Sequence, residues 1–250
     1  MTRLINDIRL SGLAKLAQII HELVPEQPKL QMRKYINVVE RYFLMLLSVK
    51  FDSGVGNVFH LELDFDRPHG PAIPSWSGTC RVFKLGIDPE TFAKYDDGLR
   101  QQFFINGIHS MLSFVAKNEG LNQEQIDWVR DQLLKFGDNL EITWVRKVTH
   151  KFDIKIAFTI DDVSRLLLGI TEIPSGKFVN VKIIDLDEHT DALKLVSRVS
   201  IKDEAILIYP RKNDLGLSIL KRYWQRLDCL GFHSDSLEFM SIPLRDLIKS

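Results

Sequence analysis

The spacing of apolar residues changes character several times along the chain, and each change marks a different kind of element. Leu4, Ile5, Ile8, Leu13, Leu16, Ile19, Ile20 and Leu23 recur at mostly helical steps. This predicts helix over 3–23, with a cap or break at Ser11-Gly12. Pro25 and Pro28 end that segment. From Pro28 onward Met32, Tyr35, Ile36, Val39, Phe43, Leu46 and Leu47 fall three and four residues apart, and Val38, Leu44 and Met45 widen the stripe. That breadth predicts a helix buried on more than one side. The rhythm then becomes twofold: Phe59, Leu61, Leu63 and Phe65 alternate with His60, Glu62, Asp64 and Asp66, as in a half-buried strand. Asp52 to Asn57 reads as a turn. Pro68, Gly70, Pro71 and Pro74 place a loop over 67–77, and a second strand over Thr79 to Gly86 is expected to pair with the first.

Asp88-Pro89 opens a helix, with Asp capping the free amides and Pro at the first helical position. It is expected to run to Gly120. Its stripe passes from Phe92, Tyr95, Leu99 and Phe103 to Phe104, Ile108, Met111 and Val115, with a bend at Gly98 or Gly107. Asn122 caps another helix carrying Ile126, Val129 and Leu133, and Gly137 stops it. Beyond that point strands dominate. Leu140, Ile142 and Trp144, then Phe152, Ile154, Ile156, Phe158 and Ile160, predict an antiparallel hairpin. Further strands fit Phe178 to Leu186 and Ala205 to Tyr209. Arg165 to Ile170 fits strand or helix, and 187–200 a short helix. After Asn213 a helix places Leu217, Leu220, Trp224, Leu227 and Leu230 on one face, and Gly231 ends it. A short strand near Leu237 to Met240 and a helical turn from Pro243 complete the pattern. The expected fold is α+β: N-terminal helices with a β-hairpin, then a mostly antiparallel sheet flanked by helices. A single domain over 1–250 is expected, with a candidate subdomain seam at 137–139.

Composition narrows the function classes. A chain of 250 residues, 45% hydrophobic, buries roughly 70% or more of its unfolded surface and needs no disulfide or metal to fold. Lys plus Arg equals Asp plus Glu at 33 each, so the basic excess of a dedicated nucleic-acid binder is missing. Cys80 and Cys229 lack the spacing of a zinc or redox motif; both are expected as small buried hydrophobes in a reducing compartment. No signal-peptide pattern opens the chain, and the most apolar run, Tyr42 to Val49, is far shorter than the roughly 20 residues of a membrane span. A soluble, cytoplasmic protein without membrane attachment is expected.

Three constellations are candidates for chemistry. Glu62, Asp64 and Asp66, with His60, share one face of a strand and can converge on magnesium, although the solvated face of an antiparallel sheet has the same pattern. Asp138 and Asp153-Ile-Lys155 form a Gly-Asp…Asp-x-Lys arrangement that resembles the PD-(D/E)xK pattern of metal-dependent nucleases. In that pattern the two acids hold the metal and the lysine orients water; the proline before the first acid is absent here. Arg211, Lys212, Arg222 and Arg226, interleaved with Tyr209, Tyr223 and Trp224, form a basic and aromatic cluster of the kind that binds phosphates and stacks on bases. The histidines are scattered, and His109 within a long helix is either a general base or a half-buried imidazole with one satisfied nitrogen. Nucleotide-loop, dinucleotide, kinase, zinc-protease and serine-hydrolase motifs are absent.

The leading expectation is a non-catalytic protein-binding role without a cofactor, in which a sheet face or helix groove takes a partner through a few aromatics with a charged rim. An immunity-type or accessory factor that occludes its partner is one concrete form. The alternatives are a magnesium-dependent nuclease or phosphodiesterase using Asp138, Asp153 and Lys155, and nucleic-acid binding through the C-terminal helix.

Overall fold

A computed structural model describes residues 4–26, 30–54, 58–77, 80–161, 163–228 and 239–244 and shows the expected α+β fold. The chain divides into two compact units, Met1–Leu140 and Glu141–Ser250.

The first unit is built on strands β1 (Asp7–Ser11), β2 (Val58–Asp64), β3 (Ala72–Ser77) and β4 (Cys80–Gly86), in spatial order β1-β2-β4-β3. The helix expected over 3–23 is therefore a strand followed by helix α1 (Leu13–Leu23). Ile8 and Leu10 alternate with Arg9 and Ser11, and this short twofold run pairs in parallel with β2. Gly12 makes the change of direction at φ +93°, where a Cβ would lie 2.9 Å from the Cβ of Leu63; only glycine turns there without strain. The region 67–77, expected as loop, contains β3. Pro74 is tolerated because β3 lies at the sheet edge. The strand at Cys80–Gly86 does neighbour β2, but in parallel, and its antiparallel neighbour is β3.

Helix α2 (Met32–Ser48) is buried on several sides, with Tyr35, Val38, Val39, Tyr42, Leu44, Met45 and Leu46 all inside. It packs on α4 (Asp97–Glu119), on α5 (Gln123–Phe136) and on β1. The long helix expected from Asp88 is two. Asp88 caps the short α3 (Pro89–Ala93), accepting from the amides of Glu90 and Thr91. The chain then breaks, and Asp96 caps α4 by accepting from the Leu99 amide at 2.8 Å. A second aspartate cap, rather than Gly98 or Gly107, sets the change of direction. Gly120 in the left-handed region closes α4, and Asn122 and Gly137 bound α5 as expected.

Among the described residues of this unit, Arg41 is the charged side chain that is fully buried. Arg41 is 1% exposed, and its Nη1 donates to Asp138 Oδ1 at 2.5 Å. The pair ties the middle of α2 to the single 3-10 turn, Gly137–Asn139, that ends α5.

In the second unit β5 (Ile142–Val148), β6 (Phe152–Phe158), β7 (Arg165–Glu172) and β8 (Phe178–Asp185) form an antiparallel meander. The ambiguous segment at Arg165 is thus a strand: Leu166, Leu168 and Ile170 face the core while Gly169 and Thr171 face out. A 3-10 turn at His189–Asp191 and the short α6 (Ala192–Leu195) fill part of 187–200, and β9 (Arg198–Lys202) begins inside it. β9, β10 (Ala205–Tyr209) and β11 (Met240–Pro243) make a second antiparallel sheet. Helix α7 (Asp214–Asp228) is fastened by a buried network. Asp191, fully buried, accepts from Tyr223 Oη at 2.7 Å, and the same oxygen of Tyr223 accepts from the Asp187 amide at 2.6 Å. Burial, and then the bond to Asp191, push the Tyr223 hydroxyl above its ordinary range. Gly231, the start of the strand expected at Leu237 and the turn beyond Leu244 lie outside the described residues.

Removing Asp138 strands a buried guanidinium, whereas removing Arg41 removes the charge itself. Asp138→Ala is expected to lower stability by about 1–3 kcal/mol, with solvent around the half-exposed carboxylate favouring the lower figure. Arg41→Met, of similar length and apolar, is expected to cost less. Midpoints of urea denaturation for the two variants give the comparison, and an equal or larger loss in Arg41→Met would show that the charge is not what makes the site sensitive.

Candidate functional site

Helix α4 packs on the sheet of the first unit. At Gly107 a Cβ would lie 2.7 Å from Leu85 Cδ2 on β4, so a side chain there would require the buried Leu85 side chain to shift. One turn earlier Phe103, and a further turn Leu99, extend along the same side of α4. The stripe Leu99, Phe103, Gly107 thus runs out from the sheet toward the His69-Gly70-Pro71 loop.

That loop is pinned from both ends. Gly70 N–H donates to the Gly86 carbonyl at 3.2 Å, and the Ala72 amide donates to Ser110 Oγ at 2.9 Å. His69 stacks on Phe103 with ring centroids 4.4 Å apart and meets Tyr95 edge-on at 5.6 Å. Its Nδ1 accepts from the Asp88 amide at 3.5 Å, which places the proton on Nε2, 3.3 Å from Tyr95 Oη. Behind this layer Phe92, Phe104 and Tyr35 continue an edge-to-face aromatic cluster into the core. Such pairs stabilise beyond their area burial by about 0.5–1.5 kcal/mol each.

The result is a groove of about 480 Å³ walled by His69, Pro71, Leu85, Tyr95, Leu99 and Phe103. Gln102, Asn106 and Ser110 supply its polar positions. Leu99 is 46% exposed at its mouth. Burial holds the His69 imidazole below its ordinary pKa, against the opposing pull of the Asp88 carboxylate, so the lining is uncharged at neutral pH. A concave, aromatic and uncharged lining with a few polar groups suits an apolar side chain or ring, and the lining residues include no Lys or Arg to attract an anion.

The adjoining sheet edge is closed to strand addition. Because the Ala72 amide is bonded to Ser110, it points away from β4. Pro74, two residues on, faces the same way and has no N–H. A partner strand would meet few donors on β3, the usual protection of an exposed edge.

Asp138 is engaged by Arg41 in the first unit. Asp153, in the second, is held bidentate by Arg146 at 2.9 and 2.7 Å, which keeps its carboxyl below the usual range. Lys155 is its neighbour two residues along β6. Each acid therefore already faces a guanidinium. On β2, Asp64 lies 3.7 Å from Lys84 Nζ and accepts from the Asp66 amide at 3.1 Å, while Glu62 is half-buried on the same strand. Among the described residues no group of three or more His, Cys, Asp or Glu side chains is gathered as a metal site. Arg222 and Arg226 are paired with Asp191 and Asp187 at 3.5 and 2.8 Å; Arg211 and Lys212 stand just before α7. Trp224, Cys80 and Cys229 have side chains outside the described residues.

His109 sits beside a serine and an aspartate without forming a relay. Asp127 Oδ1 lies 2.7 Å and Ser113 Oγ 3.5 Å from the same nitrogen, Nε2. A nucleophile and its orienting acid need opposite nitrogens of the ring. Gln123 bridges Ser113 and Asp127 at 2.9 and 2.8 Å, so the cluster reads as a clamp between α4 and α5.

No family model matches the chain, and no curated protein or solved structure matches it. Among the described residues no helix is long and apolar enough to cross a membrane.

His69 makes the site sensitive to acid. Its folded-state pKa lies below the ordinary 6.5, so the unfolded chain takes up the proton first. Its contribution to stability is complete above about 6.5 and is lost as pH falls toward the folded value, levelling off below it. Unfolding free energies measured across that interval are expected to fall more steeply in the natural chain than in His69→Phe. Equal slopes would remove His69 from the acid response.

Proposed function

We propose that the protein is a non-catalytic binding protein whose first unit takes an apolar or aromatic side chain of a partner protein into the groove between α4 and the His69 loop. The observation that carries this reading is the groove itself: an uncharged aromatic cavity, already formed, with Leu99 half-exposed at its mouth. Rigid rings lose little entropy on binding, and pockets of this kind hold the few residues that dominate an interface. The blunted β3 edge supports recognition through side chains over recognition by an added strand. A factor that acts by covering part of its partner, as an immunity or accessory protein does, is the concrete form of this proposal.

A photo-crosslinking residue at position 102, on the rim, tests it. The captured protein is expected to carry the crosslink at or beside an apolar side chain, and Leu99→Asp is expected to abolish capture. Loss of a central apolar contact of this type costs about 2 kcal/mol or more, some thirtyfold in affinity. Capture that survives Leu99→Asp undiminished, or crosslinks spread over unrelated proteins, would contradict the proposal.

A further inference from the structure

The second unit has a pocket of opposite chemistry. Its volume is about 370 Å³, and Arg198, Tyr209, Pro210, Lys212, Asp214 and Leu217 are among its walls. We infer that this pocket binds a small phosphomonoester, with the phosphate held by Arg198 and Lys212 and the organic portion resting on Pro210 and Leu217.

The basic residues of this region separate into two groups. Arg222 and Arg226 are committed to Asp191 and Asp187, and Lys194 also lies 3.5 Å from Asp191. Arg198 and Lys212 have no carboxylate within ion-pair distance among the described residues, although both wall one cavity. The Arg198 guanidinium lies over the Tyr209 ring, 4.1 Å from its centroid. That contact fixes the plane of the group and leaves its edge N–H donors free.

The backbone beneath them is fixed as well. Ser197 Oγ donates to the carbonyls of Tyr209 and Pro210 at 3.0 and 2.9 Å, and the Arg211 amide donates to the Lys194 carbonyl at 2.9 Å. Asn213 Oδ1 caps α7 at the Gly216 amide, 2.8 Å away, and among the described residues no hydrogen bond claims the earlier amides of Asp214 and Leu215. A guanidinium from β9, an ammonium from the loop and amides at the start of a 15-residue helix come from separate elements. Three donor sets of this kind suit the several acceptor oxygens of a phosphate better than the two of a carboxylate. Asp214 at the rim leaves two cations against one acid in the lining. The modest volume and the balanced charge of the chain favour a small ligand over a nucleic-acid strand. Leu217, 38% exposed, gives an organic portion an apolar surface.

The test is a titration of the full chain with phenyl phosphate at constant ionic strength, read from the backbone amide resonances of Lys212 to Gly216 by NMR. Saturable shifts confined to that region are expected, with inorganic phosphate binding more weakly because it does not reach Leu217. Arg198→Gln and Lys212→Gln are each expected to weaken phenyl phosphate at least about tenfold, in keeping with loss of a charge-assisted bond. Both side chains are exposed, so the remaining resonances of each variant confirm its fold. The inference is overturned by any of three results: shifts that do not saturate, affinity for phenyl phosphate no better than for inorganic phosphate, or unchanged affinity in both variants.

Discussion

The packing of helix α4 on the sheet of the first unit places the core and the groove side by side, and Gly107 is a point of close contact in it. A side chain there would run into Leu85, which is itself buried. Glycine inside a helix costs about 1 kcal/mol relative to alanine, and the close approach offsets it by bringing Phe104, Ile108 and Met111 fully into the core. One and two turns earlier on α4, Phe103 is half-buried and Leu99 is exposed. The His69 loop covers part of this end of the stripe through its stack on Phe103. The groove lies between the stripe and that loop.

The two units manage polar groups in different ways. In the first, α2 contributes both the buried guanidinium of Arg41 and, through Tyr35, one ring of the aromatic cluster, and the charge reaches solvent through Asp138. In the second, Asp191 is buried outright and satisfied by Tyr223, with Lys194 and Arg222 at longer range. That network engages Arg222, and Asp187 engages Arg226, the two cations of α7 that in sequence looked like part of a basic face. Which cations are consumed, and which are not, decides where an anion can bind; neither charge count nor spacing along α7 carries that information.

Much of the fold was legible in the sequence. Twofold alternation placed β2, β5 and β6, and the caps Asp88, Asn122, Gly120 and Gly137 marked helix ends correctly. Failures came where a local rhythm was too short to be read alone. Ile8 and Leu10 belong to a strand only because β2 is there to pair with them. Pro74 argued for a loop, although an edge strand tolerates proline. Asp96 was hidden inside an apolar stripe that continued across the break. The site was half legible: Phe92, Tyr95, Leu99 and Phe103 stood out as one stripe, but sequence periodicity does not say whether a stripe is covered. His69 gave no signal, because its partners, Tyr95, Phe103 and the Asp88 amide, lie nineteen to thirty-four positions away.

The central claim is that the first unit recognises a partner through the groove and not through its sheet edge or the second unit. Hydrogen exchange on the full chain, free and bound to its captured partner, tests this most directly. Slowed exchange is expected in the amides of 95–107 and of the 69–72 loop, with the rest of the chain unchanged. Protection confined to residues beyond 140, or running along β3 without reaching α4, would contradict it.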